Sequence, residues 1–205
     1  MPALLVSGLI VLSACSSGQS VSTAKNVNVT RPHPSQAPVS VRITGQYTEI
    51  FDTPLPANPG QAAVMSGFRE STVLWDQSTV ALRLAGTTTE YVTGKALTTL
   101  RVVLRSYTSN NLVPVGTDRL YDTKITSLTA SGATVTSCDD GTGYDVADRT
   151  TGQTEPPASA SQAYIFVIYG MRLVGGRWAV SSVSAIAYPD QRVKACMRDS
   201  QSRSA

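Results

Sequence analysis

The sequence predicts an α+β fold with helices packed on one face of an antiparallel sheet. Three observations predict it. Between residues 59 and 109, apolar side chains recur every three or four positions, the spacing of one helix face. From residue 112 onward the period changes to two, as in half-buried strands. Clusters of Gly, Asp and Ser then punctuate the chain at turn spacing. A sheet curved strongly around two helices would leave a cone-shaped cavity.

Length and composition set the bounds. At 205 residues the chain suits one domain with tails. Hydrophobic residues make up 41% and charged residues 15%, enough to bury a core beneath a surface rich in Ser and Thr. The net charge of +3 comes from 17 basic and 14 acidic residues spread singly, which argues against nucleic acid as a partner. The one histidine, His33, lies in Arg31-Pro32-His33-Pro34 and reads as a solvated linker residue. That removes His-based triads and His-rich metal sites, and no cofactor is expected.

Residues 1–15 carry no charge, and the apolar run from residue 3 to residue 12 is too short for a permanent membrane helix. It suits the h-region of a secretory signal. The missing positive n-region is what a start codon set downstream of the true one would produce. Leu12-Ser13-Ala14-Cys15 ends this run and looks like a lipobox, in which the cysteine is acylated and becomes the new N-terminus. The expectation is a signal peptide over residues 1–15 and a lipid anchor at Cys15, on the extracytoplasmic face of the cell membrane. Residues 16–38, rich in Ser, Thr, Asn, Gln and Pro, read as a disordered tether. Such a tether would hold the domain ~25–30 Å from the lipid.

Ordered structure is expected from the alternating Val39-Ser40-Val41-Arg42-Ile43, with residues 39–58 forming a strand and a Pro-rich lead-in. A first helix is predicted over residues 59–84, with Asn58 as cap, Pro59 at its first position, and Met65, Phe68, Thr72, Trp75 and Thr79 on one face. Gly86 is expected to end it. A second is predicted over residues 88–109 with Tyr91, Leu97, Leu100, Val103, Leu104 and Tyr107 inward, interrupted by a kink or break at Gly94. Strands are predicted over residues 112–115, 117–128, 133–138, 144–148, 163–173 and 177–188, and residues 197–205 as a disordered tail. Ala130-Ser131-Gly132, Asp139-Asp140-Gly141 and Val174-Gly175-Gly176 supply the turns, and residues 150–161 a long loop.

Several of these segments, taken in order, resemble a known family. Tyr-Val-Thr-Gly-Lys-Ala-Leu at residues 91–97, Val135-Thr136-Ser137-Cys138-Asp139-Asp140-Gly141, Gly176-Arg177-Trp178-Ala179-Val180 and the late Cys196 look like the NTF2-like lipoproteins of actinobacteria and of phages that infect them. The resemblance covers roughly residues 60–196. It implies a cone-shaped α+β domain over residues 59–196, with N-terminal helices on a curved antiparallel sheet. It also implies an envelope protein, and face-to-face homodimers occur in the superfamily. A phage-encoded member could act in superinfection exclusion. The Asp, Tyr and His sets of ketosteroid isomerase and scytalone dehydratase do not map onto this sequence, so the expected protein is not an enzyme.

The remaining chemistry is sparse. With Cys15 lipidated, Cys138 and Cys196 remain in an oxidising compartment, where pairing is the default. Their bridge would close a loop worth roughly 4 kcal/mol. Asp139-Asp140-Gly141 with Asp145 and Asp148 clusters carboxylates but lacks EF-hand spacing, and reads as a structural turn rather than a metal site. Trp75, Tyr91, Tyr107, Tyr164, Tyr169 and Trp178 are either core or the lining of a cavity, with Arg101, Arg105 or Asp76 as polar contacts. A catalytic version would need a buried carboxyl such as Asp76 beside a tyrosine donor. The expected function is therefore a lipid-anchored interaction module binding an envelope component, with an apolar-ligand carrier or pocket enzyme as the alternative. A filled cone favours the first and a deep cavity with a buried carboxyl–tyrosine pair the second.

Overall fold

The computed structural model describes residues 37–154 and 159–203. The lipobox, His33 and nearly all of the tether lie outside the described residues. Two short strands come first, β1 (Val39–Arg42) and β2 (Tyr47–Phe51). Three helices follow, α1 (Pro59–Ala81), α2 (Thr88–Tyr91) and α3 (Gly94–Ser109). Four long strands, β3 (Leu112–Leu128), β4 (Gly132–Asp148), β5 (Tyr164–Val174) and β6 (Arg177–Ala187), lead into α4 (Gln191–Arg203). The six strands form one sheet in sequence order. Every pairing is antiparallel except β2 with β3, which is parallel. The expected α+β architecture, helices then a mostly antiparallel sheet, is what the chain adopts.

Local chemistry explains the helix ends. The Asn58 side chain accepts hydrogen bonds from the Gly60 and Gln61 amides at 2.9 and 3.1 Å, and Pro59 opens α1. The helix stops at Ala81, short of the expected residue 84. Leu82 takes the left-handed conformation at φ 54°, and the chain folds back so that the Ala85 amide donates to Ser78 Oγ. The second expected helix is two. Val92 forms a parallel bridge with Val180 of β6, and the Thr93 amide donates to the Val180 carbonyl at 2.8 Å. Gly94 then turns the chain into α3 at φ +52°, a conformation that favours glycine.

The sheet departs from expectation in its middle. Residues 112–128 form one strand rather than two, and so do residues 132–148. Asp139-Asp140-Gly141 is therefore not a turn: Asp139 pairs with Leu120 on one side and Ile165 on the other. The turn-like composition accommodates a bulge instead, since Thr117 pairs with Gly143 but Arg119 with Asp140, giving β4 one extra residue. Two further register shifts in the β3–β4 pair, after Tyr121 and after Ile125, add residues to β3. Such bulges bend and twist a sheet. Residues 197–203, expected in a disordered tail, continue α4.

The sheet has two unlike faces. On the side of α1 and α3, Phe51, Val64, Met65, Phe68, Leu100, Leu120, Val135 and Met171 form the main core. On the other side, Tyr121, Cys138 and Cys196 form a second cluster with Phe166 against it. Alternation along the strands assigns the faces: Leu120 to the first and Tyr121 to the second, Val135 to the first and Cys138 to the second.

Candidate functional site

Beyond the main core the inner face opens into a cavity of about 500 Å³. Its walls come from β2, α1, α3, β3, β4, β5 and β6. The inward positions of β2 are Tyr47, Glu49 and Phe51; the last joins the core and the first two line the cavity. Asp118, two residues before Leu120, and Asp139, four after Val135, lie on the same side and also line it. Asp76 reaches it from α1, Tyr107 from α3, Tyr144 and Asp145 from β4 and Tyr169 from β5. Among the described residues, the lining contains no Lys, Arg or His.

The polar groups are incompletely satisfied. Tyr47 donates its hydroxyl to Glu49 Oε2 at 3.3 Å, and the Tyr107 and Tyr144 hydroxyls share a hydrogen bond of 2.8 Å. The Tyr47 and Tyr144 rings meet edge to face with centroids 5.8 Å apart. Glu49 is 1% exposed, yet its Oε1 and Asp76 Oδ2 find no donor among the described residues. Two neighbouring carboxylates can only accept, so a proton held between them is what would satisfy both.

Electrostatics lead to the same place. Burial, and then the nearby charge of Asp118, push Asp76 up to about 8. Burial, followed by the Asp76 charge, holds Glu49 well above the usual carboxylate range. Burial and then Asp118 do the same to Asp139, and burial raises Asp118 itself. The Tyr47, Tyr144 and Tyr169 phenols are pushed up too, chiefly by burial. In the unliganded cavity Glu49, Asp76 and Asp139 thus lean toward their protonated form, beside the neutral phenols of Tyr47, Tyr144 and Tyr169. Among the described residues, no three carboxylates, cysteines or histidines converge as a metal-binding group.

The structure sorts the residues singled out from sequence. Trp75, Tyr107, Tyr169 and Asp76 line the cavity. Tyr91 lies away from it, and its carbonyl accepts from Ser71 Oγ at 2.8 Å. Trp178 packs against the main core beside α1, where a Cβ on Gly67 would come within 2.4 Å of the Trp178 carbonyl oxygen. Tyr164 shares the outer face with Phe166, and its hydroxyl donates to Ser200 Oγ at 3.3 Å. Arg101 and Arg105 are exposed, because each follows an inward leucine, Leu100 and Leu104, by about 100° of helix rotation. Cys138 and Cys196 form the expected disulfide, with Cα atoms 5.5 Å apart. It fastens α4 to the middle of β4. Cys15 lies outside the described residues.

Sequence reasoning missed Tyr47, Glu49, Asp118, Asp139 and Tyr144 as cavity residues. The usable signal was alternation. Asp118 sits two residues from Leu120, and Glu49 sits between Tyr47 and Phe51 at strand spacing.

No protein-family model and no curated protein sequence matches the chain. Among solved structures it is similar to a ketosteroid isomerase-like protein from Erwinia carotovora atroseptica SCRI1043, 14% identical with a TM-score of 0.43, covering 65% of this chain and 99% of that one. It is similar to an NTF2-like protein with a cystatin-like fold from Novosphingobium aromaticivorans, 9% identical with a TM-score of 0.40, covering 65% and 88%. A protein of unknown function with a cystatin-like fold from Nostoc punctiforme PCC 73102 is 12% identical with a TM-score of 0.38, covering 62% and 92%. These neighbours are NTF2-like and cystatin-like fold proteins at low identity, and the likeness is one of fold alone.

Proposed function

We propose that the protein is a lipid-anchored small-ligand-binding module of the NTF2-like type, held outside the cell membrane by an acylated Cys15. The observation that carries the reading is the cavity of about 500 Å³, whose walls combine Trp75, Val103, Val183 and four tyrosines with buried carboxyls. Apolar walls with a few convergent polar groups are the usual makeup of a small-molecule site. A domain meant only to present its outer surface has no reason to keep such a space open, because a filled core is the more stable alternative. The ordered motifs from residue 91 to residue 196 support placing it with the actinobacterial and actinophage NTF2-like lipoproteins.

Binding is the primary reading: carboxyls held toward the protonated form offer hydrogen-bond donors to a ligand seated in the cavity. A second reading, proton-transfer catalysis, draws on the Tyr47–Glu49 contact, a phenol donor against a buried carboxyl. Mass spectrometry of small molecules released on denaturing the full chain, purified from its own membrane, tests the proposal. A compound present in about one-to-one amount, and lost in a cavity-filling Val103→Trp variant, is the expected result. Equal recovery from both variants would contradict a ligand in this cavity, and deuterium exchange into the released compound would favour the catalytic reading. Loss of membrane partitioning in Cys15→Ala is expected on fractionation, and unchanged partitioning removes the anchor.

A further inference from the structure

Five cavity-lining carboxylic acids, Glu49, Asp76, Asp118, Asp139 and Asp145, come from four separate elements, and no basic side chain among the described residues lines the cavity with them. Lodging carboxyls in a confined space is unfavourable unless a proton or an opposite charge compensates them. Elsewhere in the molecule that compensation is visible: Asp52 has Arg119 at 3.6 Å and Asp190 has Arg192 at 2.9 Å. Within the cavity no Lys, Arg or His of the described residues plays this part. The Glu49 side chain is almost wholly buried and lines the cavity, and its Oε1 has no partner among the described residues.

Around these carboxyls stand Trp75, Tyr47, Tyr107, Tyr144 and Tyr169. Aromatic faces attract cations, most strongly where water is excluded. Carboxyls with aromatic rings form a cage suited to an ammonium group, and the apolar side chains Val92, Val103, Val180 and Val183 would take the hydrocarbon part of the same molecule. An inorganic divalent ion fits less well, since no three of the carboxyls converge on one point.

We propose that the cavity recognises an organic cation, a protonated or quaternary amine carried on an apolar body. This rests on the reading of the cavity as a ligand site and names the class of ligand. The cation takes the place of the protons that Glu49, Asp76 and Asp139 hold in the empty protein, so those protons leave as it enters. The groups facing the site are Tyr47 and Glu49 on β2, Asp76 on α1, Tyr107 on α3, Asp118 on β3, Asp139, Tyr144 and Asp145 on β4 and Tyr169 on β5. All of them are neutral or negative across the working range, and none opposes a cation.

Three near-isosteric probes test it on the full chain by calorimetric titration: 2-phenylethylamine, 2-phenylethanol and 3-phenylpropionate. At about pH 8 the amine is expected to bind at least tenfold more tightly than the alcohol, and more tightly still than the acid. Its binding heat should depend on the ionisation enthalpy of the buffer, which reports protons released, and Asp139→Asn should shrink its preference over the alcohol. If the alcohol or the acid binds as well as the amine, the cation inference falls while the ligand-binding reading stands. If none of the three binds, and the NMR signals of Tyr47 and Tyr144 do not move, both fall.

Discussion

The two faces of the sheet were built to opposite specifications. On the outer face Tyr121 donates its hydroxyl to the Cys196 carbonyl at 2.6 Å, Ser200 donates to Asp140 at 2.7 Å, and a disulfide ties α4 down. On the inner face, beyond the core of Phe51, Phe68 and Met171, acids crowd a cavity and leave buried oxygens without donors. One side spends its polar groups on holding the fold. The other leaves Glu49 Oε1 and Asp76 Oδ2 without a donor among the described residues, which is what a site awaiting a partner looks like.

The sharpest way to break that contrast is to open the outer clamp. The bridge spans 58 residues, and replacing both Cys138 and Cys196 by Ala should cost about 4 kcal/mol in denaturant unfolding. Probe binding at conditions where the variant stays folded should be unchanged, since neither cysteine lines the cavity. Lost affinity in a folded variant would mean that the two faces are coupled.

The inner face should be legible in pH dependence. Its carboxyls bind protons more tightly when folded than in the unfolded chain, where they ionise near about 4. The stability they contribute is complete below that value and lost as pH rises through the folded values, about 8 for Asp76. Melting of the unliganded protein should therefore show stability falling from about pH 5 to about pH 8, on the order of 4 kcal/mol from Asp76, with a shallower fall in Asp76→Asn. A flat or rising curve would deny that the acids are held protonated.

Two smaller substitutions separate the faces residue by residue. Glu49→Leu removes a buried carboxyl that lacks a full set of partners, and should raise unliganded stability by ~1–2 kcal/mol near neutral pH while weakening amine binding. Tyr121→Phe removes a satisfied hydrogen bond from the outer face, and should lower stability by about 1 kcal/mol with no effect on binding. Matching effects of the same sign would erase the distinction between the two faces.

How far the sequence revealed this arrangement follows from the same contrast. The helices, the last hairpin and the disulfide could be read because apolar period, glycine placement and cysteine count report on packing. Val174 and Arg177 do pair across Gly175-Gly176, and Asn58 does cap α1. The acid cavity was hidden because its residues break those patterns. Glu49 sits in an inward position where an apolar residue would have announced β2, and Asp139-Asp140-Gly141 has turn composition although Asp139 and Asp140 are paired on both sides. Burial of these carboxyls is set by strands distant in sequence, and no local window contains it.

The central claim is that Glu49, Asp76, Asp118 and Asp139 line one cavity and bind protons there more tightly than free carboxyls do. A carbon-detected NMR titration of their carboxyl signals in the full chain tests this most directly. Midpoints above the usual carboxylate range for all four, with Asp76 near about 8, are the predicted result. Four independent midpoints near about 4 would contradict it.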